Sequence, residues 1–265
     1  MKKLLPLLLI SSLYGHDLYL MPQKFRVNAG DRILLSAHTG DSFPLSEQPV
    51  DPKRLTSLPA MSLEEWRMLG KATHATVTVA EGSHYYAIHT SPKFLELEAP
   101  KFASYLKEEG LTAALAAVAG VETKSREMYS KYAKTYVIAG KPSGNFAKPL
   151  GLKIEIVPLA DPALLTEGGS LPIQVLYEGK PLADVQVELA SSRDPRTKTQ
   201  MAIAGRSDAN GKLTVKIPNA GKVRLHAVTM NRVKQPSHDW ESFWASLTFE
   251  VASRAPTESS TLTSR

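Results

Sequence analysis

The sequence predicts a mainly β protein: two Ig-like or transthyretin-like β-sandwich domains, with a helical insertion in the first. Three observations predict it. Short runs alternating apolar and polar residues recur along most of the chain, and Gly, Asn, Asp and Pro separate them where hairpins would turn. A single stretch, about residues 95–132, carries its apolar residues at helical spacing instead.

In chain order, Met1-Lys2-Lys3, the apolar Leu4 to Ile10, and then Ser11-Ser12 have the layout of a secretory signal. The apolar core is shorter than the roughly 18–20 residues a bilayer-spanning helix needs, and no later run exceeds it, so stable membrane insertion is not expected. Cleavage after Gly15, the last small residue before His16-Asp17, would give a mature chain that starts at His16 and is periplasmic or secreted. About 250 residues would remain, enough for two medium domains. The text divides into 16–160 and 168–252, with the Ser, Thr and Pro of 253–265 reading as a disordered tail.

In the first domain, Asp17 to Leu20, Lys24 to Val27 and Arg32 to His38 read as strands, with turn chemistry at Asn28-Ala29-Gly30-Asp31. Ser42 to Pro59 reads as a long loop. Ala75, Val77 and Val79 alternate with Thr76 and Thr78, and beyond Glu81-Gly82 the run Tyr85 to Ile88 reads as the partner strand. Phe102, Tyr105 and Leu106, and then the alanine-rich Leu111 to Val118, fit short helices. Ser125, Met128, Tyr129 and Tyr132 continue at spacings of three and four, which places Arg126, Glu127 and Lys131 on the solvated side of a helix. Strand character returns at Lys134 to Ala139 and Leu152 to Val157. After Gly168-Gly169, short strands at Leu171 to Tyr177, Val185 to Leu189, Leu213 to Ile217, Val223 to Val228 and Ser246 to Val251 imply the second sandwich.

Composition narrows function. There is no cysteine, which excludes disulfides and thiolate metal sites. The net charge of +6 comes from 32 basic and 26 acidic residues that are interspersed, so a nucleic-acid partner is not expected. Gly-x-Ser-x-Gly and His-Glu-x-x-His are both missing, which argues against the common hydrolases.

The landmarks Gly40-Asp41-Ser42-Phe43, Arg126-Glu127, Lys131-Tyr132-Ala133-Lys134, Gly151-Leu152, Glu155-Ile156-Val157-Pro158 and Asp239-Trp240-Glu241-Ser242-Phe243-Trp244, following an exported His-Asp start, resemble the nickel-uptake-associated (NikM-like) family of periplasmic proteins. The second half, through Gly179-Lys180-Pro181 and Asp208-Ala209-Asn210-Gly211, is also similar to transthyretin-like and carboxypeptidase-regulatory sandwiches. The family resemblance implies a non-enzymatic periplasmic component of nickel or cobalt uptake, with a metal ion and a membrane metal transporter as partners.

The residues offer a matching chemistry. A terminal His16 would present an α-amine and an imidazole nitrogen on one residue, a chelate suited to nickel, cobalt or copper. Further ligands must come from folding. His38 at a strand end, His238 in a loop beside Asp239, and His226 inside a strand are the candidates, whereas His84 and His89 fall on opposite faces of one strand. The alternatives are a copper-dependent oxidative enzyme built on the same terminal histidine, and a structural or adhesive sandwich module.

Overall fold

The computed structural model describes residues 16–58, 63–120, 124–194 and 196–254. The expected signal segment 1–15 and residues 255–265 of the expected tail lie outside the described residues. In chain order the elements are β1 (Leu18–Pro22), β2 (Arg26–Val27), β3 (Arg32–Thr39), β4 (Leu55–Ser57), β5 (Arg67–Leu69), β6 (Ala72–Thr78), β7 (Gly82–Thr90), β8 (Lys93–Glu98), α1 (Ala99–Glu108), α2 (Thr112–Val118) and β9 (Lys124–Ala139). There follow β10 (Ile154–Pro158), β11 (Ser170–Tyr177), β12 (Lys180–Pro181), β13 (Gln186–Ser192), β14 (Ala202–Arg206), β15 (Lys212–Lys216), β16 (Gly221–Arg232) and β17 (Trp240–Val251).

The architecture is mainly β and sandwich-like. A nine-stranded sheet runs β14-β13-β16-β17-β9-β7-β4, with β2 and β8 also pairing with β9. Two four-stranded sheets cover it: β1-β3-β6-β5, and β10-β11-β12 with β15 on β11. Because side chains alternate along a strand, β9 serves both layers. Ala133, Val137 and Ala139 enter a core with Leu18, Leu20, Leu35 and Val77, while Tyr136 and Ile138 enter a second core with Ile154, Leu171, Leu225 and Phe249. Lys134 bridges toward the second layer, its Nζ 2.7 Å from Glu155 Oε1 with both side chains buried. Glu155 also accepts from the amides of Leu150 and Gly151, so the buried charges are paired and hydrogen-bonded as burial demands.

The helical insertion is shorter than the spacing suggests. α1 and α2 end at Val118, and Lys124–Ala139 is one strand. Glu127 and Lys131, expected on a solvated helical face, are buried at 1% and 5% exposure. The reason is nonlocal. β9 pairs in parallel with β17, from Trp240 opposite Glu127 to Thr248 opposite Thr135, and on its other edge with β8 and then β7. α1 turns Phe102, Tyr105 and Leu106 inward onto Trp240 and Trp244, with Tyr105 stacked on Trp244 at a 5.8 Å centroid separation. Both tryptophans are thus core plugs beneath the helices.

Candidate metal centre

β1 and β3 are antiparallel, and the ladder continues past their ends: the Gly40 amide donates to the Asp17 carbonyl at 3.1 Å. This brings His16, just ahead of β1, beside the chain leaving β3. That chain folds back at once, with the Glu47 amide donating to the Thr39 carbonyl at 2.7 Å. A Cβ at Gly40 would sit 2.9 Å from Glu47 Cγ, so only glycine admits this approach. As a result, His16 Nδ1 stands 3.2 Å from Asp41 Oδ2 and 3.2 Å from Glu47 Oε2. All three side chains are half-buried. Among the described residues this is the single grouping of three or more His, Asp or Glu whose ligating atoms converge, within 4.8 Å of one another. Two ligands held at about 2.1 Å from one ion and at right angles are about 3 Å apart, which matches the observed spacing.

The surroundings hold the cluster in place. Lys131 Nζ donates to the His16 carbonyl and lies 4.5 Å over the Trp244 ring. Burial lowers the Lys131 ammonium to about 8, although Asp17, Glu109 and Asp41 pull the other way. Arg224, fully buried, forms an ion pair with Asp17 Oδ2 at 3.0 Å and donates from Nη1 to the Gly40 carbonyl at 3.2 Å. One guanidinium therefore ties the residue after His16 to the residue before Asp41. Burial pushes the Asp17 carboxyl up, but His226, Arg224 and Lys131 outweigh it and hold the group below its ordinary range. Asp41 is displaced upward, by burial first and then by the charge of Asp17, with His16 opposing.

The other expected ligands are placed differently. His226 is buried between Asp17, 3.4 Å from Nδ1, and Glu109, 3.2 Å from Nε2. Burial disfavours its charged form, yet the two carboxylates prevail and raise its pKa. It supports Asp17 and does not converge with His16. His38 stacks on Tyr19 at 5.2 Å, and burial, with His74 and Lys222, lowers it to about 3. His238 contacts Ser237 Oγ at 2.9 Å and Glu241 Oε1 at 3.3 Å. Neither His38 nor His238 is brought to His16. Asp41 and Glu47 are the partners that sequence reasoning missed. Asp41 lay within a family landmark, whereas Glu47 carried no signal in an irregular loop.

Two cavities flank the cluster. One, about 530 Å³, is lined by His16, Thr39, Arg54, Lys93, Tyr129 and Lys131 among others. The other, about 290 Å³, is lined by Asp17, Asp41, Glu108, Glu109, Glu188 and Arg224 among others.

Fold and site together define a β-sandwich protein that carries a histidine–carboxylate cluster at the edge where β1 begins. The family model described as "Domain of unknown function (DUF4198)" matches residues 13–231, and the chain belongs to that family. No curated protein matches it. Similar solved structures include the D0-D1 domain of intimin, 12% identical over 90% of this chain and 100% of that one, with a TM-score of 0.22. The Yersinia pseudotuberculosis adhesin InvE is 15% identical over 88% of this chain and 58% of its own, also at 0.22. The Escherichia coli adhesin FdeC is 13% identical over 90% of this chain and 65% of its own, again at 0.22. Superpositions of this quality carry no argument about function.

Proposed function

We propose that this is an exported, non-enzymatic metal-binding protein that holds a divalent transition metal at His16, Asp41 and Glu47 and serves nickel or cobalt uptake or delivery. The observation that carries the reading is the convergence of three ligating groups from separate points of the chain on one half-buried spot. Two carboxylates and a neutral imidazole balance a divalent charge. If the signal is removed after Gly15, the α-amine of His16 adds a second nitrogen, and an amine–imidazole pair beside the two carboxylates favours nickel or copper over magnesium or calcium. Lys131 and Arg224 would then act as outer supports that orient the ligands. A membrane metal transporter is the partner that this role requires.

The test begins with intact mass and elemental analysis of protein purified from periplasm, followed by calorimetric titration with nickel, cobalt, copper and zinc. The mature chain should begin at His16 and bind one metal per chain. His16→Ala and Asp41→Asn should each weaken binding by at least about tenfold, and one extra residue ahead of His16 should do the same. A chain that binds none of these metals, or one that binds equally well without His16, would leave a sandwich with a structural or adhesive role.

A further inference from the structure

We propose that the basic cavity beside His16 takes a small carboxylate-bearing organic anion that ligates the same metal, so that the protein captures the metal as a chelate. This rests on the metal reading above and names what accompanies the ion. The cavity's volume, about 530 Å³, falls in the range of small-molecule sites. Its charged lining is Arg54, Lys93 and Lys131 against Asp51, and Asp51 Oδ1 already accepts from the Lys53 amide at 2.9 Å, capping the short turn 52–54. Arg54 is held in place, its Nη2 donating to the Ser91 carbonyl at 3.0 Å and its guanidinium 6.0 Å from the centre of the Tyr129 ring.

The two sides of the cluster differ in sign. Asp41 opens on the smaller cavity, where Asp17, Glu108, Glu109 and Glu188 surround a single Arg224. His16 opens on the larger, where cations prevail. A bare hydrated cation is attracted to the acidic side and repelled by the basic one. A basic wall next to a metal ligand is instead what retains an anion bound to that metal, through charge-assisted hydrogen bonds from Arg54 and Lys93. Three side-chain ligands also leave coordination positions for exogenous carboxylate oxygens.

Native mass spectrometry and calorimetry on the mature chain, with nickel alone, citrate alone and both together, test the idea. A protein–nickel–citrate species should form, its citrate affinity should fall with added salt, and the double variant Arg54→Ala/Lys93→Ala should keep nickel while losing citrate by roughly tenfold or more. Lys93 is exposed and neither residue is a proposed ligand, so retained nickel binding certifies the variant's fold. If nickel binds but citrate never joins it, or only strips it away, or joins the double variant equally well, the chelate proposal falls and the metal reading stands. If nickel binds neither with citrate nor without it, both fall.

Discussion

Glu127 is a carboxylate at 1% exposure inside the central sheet. Burial pushes it up to about 7, even though Tyr105 and Ser242 donate to Oε1 and Lys131 lies nearby. Oε2 is buried without a hydrogen-bond partner among the described residues. Unfolded, the group would titrate near 4.5. Between these values the native chain holds a proton that the unfolded chain has released, so the stability tied to the neutral form is complete below about 4.5 and is lost as pH rises through 7. Glu127→Gln mimics the neutral form and removes this loss. Urea unfolding at pH 5 and pH 8 should show the wild type losing stability relative to the variant, by on the order of 3 kcal/mol. Parallel behaviour of the two proteins would mean that Glu127 is ionised throughout.

β1 is the outer strand of its sheet, and an outer strand leaves carbonyls without ladder partners. Here they are met from the neighbouring layer. Ser246 Oγ donates to the Leu18 carbonyl at 2.7 Å, and Thr248 Oγ1 donates to the Leu20 carbonyl. Thr248→Val keeps the shape and strands that carbonyl in the core, which should cost about 1–3 kcal/mol and speed amide exchange across Leu18–Pro22, while Thr248→Ser should largely preserve protection. A valine variant as stable as wild type would show the bond to be dispensable. What the sequence disclosed follows the same geometry. Thr73 to Ala80 was legible as a strand because one face is apolar and the other polar, but its expected partner was wrong. β6 pairs with β3 and β5, whereas Tyr85 to Ile88 lie in β7, which pairs with β9 and β4 in the other sheet. The partners β3 and β9 come from distant parts of the chain, and the turn at Glu81-Gly82 carries it from one layer to the next. The first half of β9 was not legible, because Ser125, Met128, Tyr129 and Tyr132 satisfy helical spacing as well, and the strand that decides the matter, β17, lies more than a hundred residues away along the chain. His16 was singled out by its position behind the expected signal segment. Its partners were not, because the β1–β3 register and the Arg224 clamp create their proximity and no local spacing records it. One hint was available: in Val223-Arg224-Leu225-His226, strand alternation puts a guanidinium and an imidazole on the same face, an expensive pair to bury without carboxylates to meet them.

At the scale of the molecule, the two cores are joined by a strand that belongs to both. Melting the layer of β1, β3 and β6 would expose Ala133, Val137 and Ala139, and melting that of β10, β11 and β15 would expose Tyr136 and Ile138, five residues of β9 in a row of seven. The β9–β17 ladder then carries backbone pairing between an N-terminal and a C-terminal strand. Sandwiches joined only by a linker would unfold separately; here, loss of either half strips partners from β9 along an edge or a face, and each orphaned buried amide or carbonyl costs about 1–3 kcal/mol. The chain should therefore melt in one calorimetric transition whose van't Hoff and calorimetric enthalpies agree, and residues 16–160 expressed alone should fail to reach a folded state. Two resolved transitions, or a folded N-terminal fragment with native amide protection in β9, would show that the shared strand couples the halves less strongly than its pairing requires.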